Sequence, residues 1–197
     1  MIRGQETYRK VIKNYCFDCI TECRRVLEIG AGEGFFSSLI LEKNPKKYTI
    51  VEPDPDCVNI LQMQYPNTEI LQDDIFRLIP LMENAYDVVV AFGVLYHWSS
   101  PFKFLEDVVN IIRPEFICLD NPECDGVVIK DEIHNTTGNF WKLDQRRTVD
   151  LSVHLDSNII KKSMQNLQYK CLLKRDMSWH QLDESKQQTI LYKFERQ

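Results

Sequence analysis

Val26-Leu27-Glu28-Ile29-Gly30-Ala31-Gly32-Glu33-Gly34 is the stretch that decides the fold. Residues 25 to 29 form a short apolar run that reads as a strand. Glycines then stand at alternate positions, and FFSSLILEK continues as a helix from about Gly34 to Lys43. A side chain in such a turn would collide with a ligand lying across the strand ends, and glycine tolerates the φ values that a tight turn needs. Strand, glycine turn and helix together make a first β-α unit.

Outward from this turn the alternation repeats. KYTIVE ends at Glu52, a Pro-Asp-Pro turn leads into a helix from Asp56 to Gln64, and TEILQ at residues 68 to 72 is a third strand. YDVVVAFG is rich in β-branched residues and reads as a strand buried on both faces. A helix from Phe102 to Ile112 stops at Arg113-Pro114, and EFICLD is a fifth strand. Asp156 or Ser157 caps a helix to about Asn166, and QYKCLLKRDM and TILYKFER pair as an antiparallel edge. The expected fold is α/β and doubly wound, a mostly parallel seven-stranded sheet with an antiparallel edge strand and helices on both faces.

A length of 197 residues with 44% hydrophobic content suits one core, so residues 1–197 are read as one domain. Residues 1–23 hold an N-terminal helix whose stripe is Val11, Ile12, Tyr15, Cys16 and Cys19. Residues 24–120 form the ligand-binding core, and 151–197 carry the last helix and strands. Between them, residues 121–150 are polar, rich in turn formers and too long for a plain connector, which suggests a substrate lid.

The net charge of -5 creates no broad attraction for a phosphate backbone, so nucleic acid is a secondary partner. No run approaches the ~18 apolar residues that span a bilayer, and MIRGQETYRK lacks the apolar core of an export signal. A cytoplasmic protein without a membrane partner is expected. Seven cysteines, an odd number, argue for reduced thiols rather than a disulfide framework. Cys16, Cys19 and Cys23 could hold a metal as soft ligands, but their spacings also place them on one helix face. No second pair follows at zinc-ribbon spacing, so packing is expected and no metal.

The glycine turn narrows the ligand. The dinucleotide pattern G-x-G-x-x-G needs a third glycine where Phe35 stands, and no G-x-x-x-x-G-K-[ST] loop occurs. A bulky Phe there disfavours cradling a pyrophosphate, whereas a nucleoside bearing an amino acid tail needs less anion binding and more room. Glu52, at the end of the second strand, stands where a carboxylate accepts hydrogen bonds from both ribose hydroxyls. The other reading of Glu52, an acid ahead of the next helix, suits Asp56 better.

With VLEIGAGEG, the acid ending strand two, and the pairing of QDDI with YDVVVAFGVLYH, residues 24 to 120 resemble the class I S-adenosylmethionine-dependent methyltransferases. The resemblance implies S-adenosyl-L-methionine as cofactor. It places Glu28 against the amino acid part, directly or through water, with Gly30, Ala31 and Gly32 as the turn and Glu52 and Pro53 beside the sugar. It puts Asp74 at the adenine amino group with Ile75 as the adjoining backbone contact. Phe92 and Gly93 fall against the methionine part, with Tyr96 or His97 toward the acceptor as catalytic candidates. GVLYH-x-x-SP is also locally similar to the tRNA wobble-uridine carboxymethyltransferases. Trp98 and Ser99 replace the basic pair found there after the histidine, so a carboxylated cofactor is not expected.

Methyl transfer from sulfonium is an in-line displacement in which alignment and exclusion of water matter most. If the acceptor is a hydroxyl, His97 can take its proton near neutral pH; otherwise His97 positions substrate or caps the loop. Tyr8, Trp98, His134 and Trp141 are the candidate substrate contacts. With Arg146 and Arg147, the last two could clamp an anionic or planar acceptor; alternatively Trp141 anchors the loop and the arginines stay solvated. The expected function is O- or N-methylation of a small-molecule acceptor by in-line displacement, with an RNA-modifying methyltransferase or a non-catalytic cofactor-binding module as alternatives.

Overall fold

In the structure, a computed structural model, residues 9–98, 100–132, 150–177 and 189–197 are described. Nine strands are found among them: β1 (Arg25–Ile29), β2 (Lys47–Val51), β3 (Glu69–Leu71), β4 (Val88–Ala91), β5 (Phe116–Pro122), β6 (Val127–Glu132), β7 (Asp150–Leu155), β8 (Tyr169–Met177) and β9 (Thr189–Arg196). The α-helices are α1 (Ser37–Leu41), α2 (Pro55–Gln64), α3 (Ile75–Leu78), α4 (Pro101–Asp107) and α5 (Ser157–Asn166), with further single helical turns before and between them.

Seven strands form one sheet in the order β3-β2-β1-β4-β5-β9-β8, while β6 and β7 make a separate antiparallel ribbon. Strands β1 to β5 run parallel. The antiparallel edge is present, and β9 is its reversed strand, set between β5 and β8 and antiparallel to both. The chain order reverses between β1 and β4, and ligands of open α/β sheets bind outside the carboxyl ends of the strands at such a point.

Alternation along the strands feeds two cores. Leu27, Ile29, Val89, Ala91, Ile117 and Leu119 pack against α3, α4 and α5. Val26, Ile50, Val88, Val90 and Cys118 pack against the N-terminal helical turns, α1 and α2. Since both faces are covered, β4 is buried along its whole length, as its run of valines requires. Glu28 shares the second face with Val26, and this decides its surroundings.

Three local readings change. The N-terminal segment is helical only to Cys19, after which Ile20 is extended. Cys23 therefore falls off the expected stripe and is exposed, whereas Cys16 is buried. Tyr15 is 51% exposed because the wide helical turn Ile12–Cys16 rotates it away from the core side of Ile12 and Cys16. The helix after the glycine turn starts at Ser37 rather than Gly34, whose φ of +85° is not helical. The segment after β5 is ordered at both ends as the β6–β7 ribbon, and the lid reading of residues 133–149 lies outside the described residues.

Among the described residues no helix is long and apolar enough to cross a membrane, and no three His, Cys, Asp or Glu are placed to hold a metal.

Candidate functional site

The carboxyl ends of β1 and β2 meet at Glu52. Its Oε2 accepts the backbone N–H of Gly32 at 2.8 Å, and its Oε1 accepts that of Asp54 at 3.0 Å. Only 1% of Glu52 is exposed, and burial raises its carboxyl above the usual carboxylate range. Two donated N–H bonds oppose that rise and hold the side chain in one orientation. Asp54 caps α2, accepting from the N–H groups of Asp56 and Cys57, so the helix-capping duty expected of Asp56 belongs to Asp54. Pro55 at the first helical position fixes the cap one residue before it. Pro53 is exposed beside the Glu52 backbone.

The two turn glycines differ in what their missing side chains allow. A Cβ on Gly30 would lie 2.2 Å from Cγ1 of Val94, so this glycine admits a side chain from the loop after β4 rather than a ligand. The N–H of Gly30 bonds the carbonyl of Val51 at 2.8 Å, closing β1 onto β2. A Cβ on Gly32 would meet no protein atom within 4 Å. Gly32 is thus the position at which the turn opens outward, with Ala31 buried behind it.

Glu28 lies beneath the turn, 2% exposed, accepting hydrogen bonds from the hydroxyls of Ser37 (2.7 Å) and Tyr48. Burial pushes its carboxyl up to about 7 against the lowering effect of both hydroxyls. It braces β1, β2 and α1 together.

On the far side of the turn, Asp74 is exposed and caps α3 through the N–H of Phe76 at 2.9 Å, while Ile75 is buried. Phe92 is committed to packing, with ring centroids 5.7 Å from Phe17 and 5.0 Å from Phe36, which leaves its backbone to face the strand ends. The N–H of Gly93 donates to Oδ1 of Asp120 at 2.6 Å. Asp120 is 5% exposed at the end of β5, and burial lifts its carboxyl to about 7. The sequence reading missed Asp120, although it closes the strand run EFICLD as Glu52 closes KYTIVE, and that position was the available signal.

Beyond Gly93 the turn Leu95–His97 carries both catalytic candidates, half-buried, with ring centroids of Tyr96 and His97 4.3 Å apart. A Cβ on Gly93 would sit 3.9 Å from the Tyr96 hydroxyl, so that hydroxyl is turned back over the end of β4. Trp98 packs with Phe104 and Phe76, at centroid distances of 4.1 and 5.5 Å, and belongs to the wall beneath the site. His154 of β7, 1% exposed, stands 5.8 Å from the Tyr96 ring. Tyr8, His134, Trp141, Arg146 and Arg147 lie outside the described residues. A separate cavity lined by Leu41, Lys47, Tyr48 and Glu69 opens at the amino ends of β2 and β3, away from all of these groups.

A family described as methyltransferase domain matches residues 27–119. The tRNA U34 carboxymethyltransferase of Pseudoalteromonas atlantica is 34% identical over 99 residues, covering 47% of this chain and 30% of that protein. The match thus spans less than a third of that relative's length. The crystal structure of Burkholderia thailandensis 1,6-didemethyltoxoflavin-N1-methyltransferase, with bound 1,6-didemethyltoxoflavin and S-adenosylhomocysteine, superposes with a TM-score of 0.69 at 11% identity, over 98% of this chain and 78% of that one. Magnesium protoporphyrin IX methyltransferase from Synechocystis PCC 6803, with bound SAM, gives 0.67 at 13% identity over 98% and 80% of the two chains. At these identities the structural likeness is one of fold.

Proposed function

We propose, from the premise that this chain carries a class I S-adenosylmethionine-dependent methyltransferase domain, that it binds S-adenosylmethionine across the carboxyl ends of β1, β2 and β4 and methylates a small molecule. The observation that carries this reading is the pairing of Gly32, which opens outward, with a Glu52 carboxylate held rigidly beside it. Each Glu52 oxygen accepts one N–H and retains a lone pair for a ribose hydroxyl. The residues present therefore fit the cofactor.

When bound, the cofactor supplies a methyl group on positively charged sulfur, which an acceptor displaces in line. The chain's own residues align and shield. Gly30 and Gly32 carry the turn, with Ala31 behind and Pro53 at its rim; Glu28 braces it from below. Asp74 and Ile75 flank the base, and the backbone at Phe92 and Gly93 backs the reactive end. Tyr96 and His97 face the acceptor, and His97 takes a proton where the acceptor is a hydroxyl.

A small-molecule acceptor is supported by the net charge of -5, which disfavours a polyanion. An RNA acceptor is the second reading, favoured by the name of the Pseudoalteromonas relative, of which the match covers 30%. Calorimetric titration with S-adenosylhomocysteine tests the binding, with saturable one-to-one binding expected and no heat as the contrary result. Incubation with cell-extract fractions then tests the acceptor. Release of S-adenosylhomocysteine from the metabolite fraction supports the first reading; release from RNA alone, with salt-dependent retention on RNA, supports the second.

A further inference from the structure

We infer that His154 is a positioning residue of the acceptor side, its ring holding Tyr96 so that the tyrosine hydroxyl stays over Gly93; the inference rests on the methyltransferase reading above. His154 comes from the ribbon strand β7, far along the chain from the turn that bears Tyr96 and His97.

The geometry of β7 forces the contact. Successive side chains of a strand point to opposite faces, and Val153 and Leu155 are buried in the first core at 8% and 0% exposure. His154 faces the other way, yet only 1% of it is exposed. What it meets on that face includes the Tyr96 ring, at 5.8 Å between centroids and 60° between planes, an edge-to-face arrangement. Tyr96 is thus flanked by two imidazoles, His97 on its own turn and His154 across from it.

The strand itself is anchored to the sheet. The Asn121 amide, fully buried at the end of β5, donates to the carbonyl of Leu155 at 2.8 Å. Next to it in sequence, Asp120 accepts the N–H of Gly93 at 2.6 Å. Neighbouring residues of β5 therefore hold both the strand that carries His154 and the glycine over which the Tyr96 hydroxyl sits. A wall fixed from two directions can set an acceptor atom against the methyl group, and small misplacements there cost rate rather than cofactor affinity.

The test labels the full chain with 3-fluorotyrosine and assigns the Tyr96 fluorine line from its loss in Tyr96→Phe. His154→Leu fills the space without an aromatic edge, and His154→Phe restores one. The Tyr96 line is expected to move in His154→Leu and to regain a single ordered position in His154→Phe, while calorimetric affinity for S-adenosylhomocysteine stays at the wild-type value in both. With whichever extract fraction supports turnover, His154→Leu should lose roughly ten- to hundredfold in kcat/KM for the acceptor, with KM for S-adenosylmethionine unchanged and His154→Phe largely rescued. An unmoved Tyr96 line in His154→Leu overturns the inference, and so does a Phe variant that fails as completely as Leu. Absence of S-adenosylhomocysteine binding by the wild type would instead sink the methyltransferase reading, and the fluorine line reports on His154 separately from it.

Discussion

The carboxylate of Glu52 accepts the backbone N–H of Gly32 at 2.8 Å, tying the end of β2 to the turn that leaves β1. The acid and the glycine therefore act as one unit. Replacing Glu52 with Gln leaves one side-chain NH2 facing a backbone N–H donor, because the other oxygen position is bonded by Asp54. Hydrogen bonds to charged groups contribute ~1.5–3 kcal/mol, so Glu52→Gln should weaken S-adenosylhomocysteine binding by roughly ten- to hundredfold. Calorimetry showing unchanged affinity would contradict the placement of the ribose at Glu52.

Gly30 and Gly32 should separate folding from binding. Both have positive φ, +68° and +55°, which costs a substituted residue roughly 1–2 kcal/mol. Gly32→Ala adds a Cβ into open space and should lose little more stability than that strain while losing cofactor binding. Gly30→Ala drives a Cβ into Val94 and should be far less stable, with partial recovery in the Gly30→Ala/Val94→Ala double variant. Thermal melts beside titrations read both effects; equal melting of the two single variants would count against this division.

Stability should depend on pH through Glu28 and Asp120. Burial raises both carboxyls to about 7, so between their unfolded values near 4 and about 7 the folded chain holds protons that the unfolded chain has released. Their favourable contribution is complete below that window and disappears as pH rises through it. Glu28→Gln cannot ionise and keeps an oxygen for Ser37 and Tyr48. Melting temperatures of wild type and variant should thus converge toward about pH 4 and separate in favour of the variant as pH rises to about 7. Parallel curves across the window would show that Glu28 does not titrate there.

Asp120 and Gly93 offer a further test by urea denaturation. Near pH 4, where the Asp120 carboxyl holds its proton, Asp120→Asn retains an acceptor for the Gly93 N–H and should be close to neutral in stability. Asp120→Leu leaves that N–H unpaired and should cost ~1–3 kcal/mol. Equal stability of the Leu and Asn variants would mean that Gly93 finds another partner.

What the chain determined by itself is local in origin. The boundaries of β1, the switch from strand to helix at the glycines, the acid ending β2 and the antiparallel last strands follow from period, spacing and turn residues within short windows, and those windows carry Gly32 and Glu52. The tertiary structure decided the rest, because each remaining contact joins residues that no window contains. Val94 claims the space at Gly30, Tyr48 and Ser37 occupy Glu28, and His154 reaches Tyr96 only once the β6–β7 ribbon lies over the carboxyl ends of the sheet. Spacing along a sequence encodes a side chain's own face and turn; the neighbour it meets on that face is set by how distant segments pack.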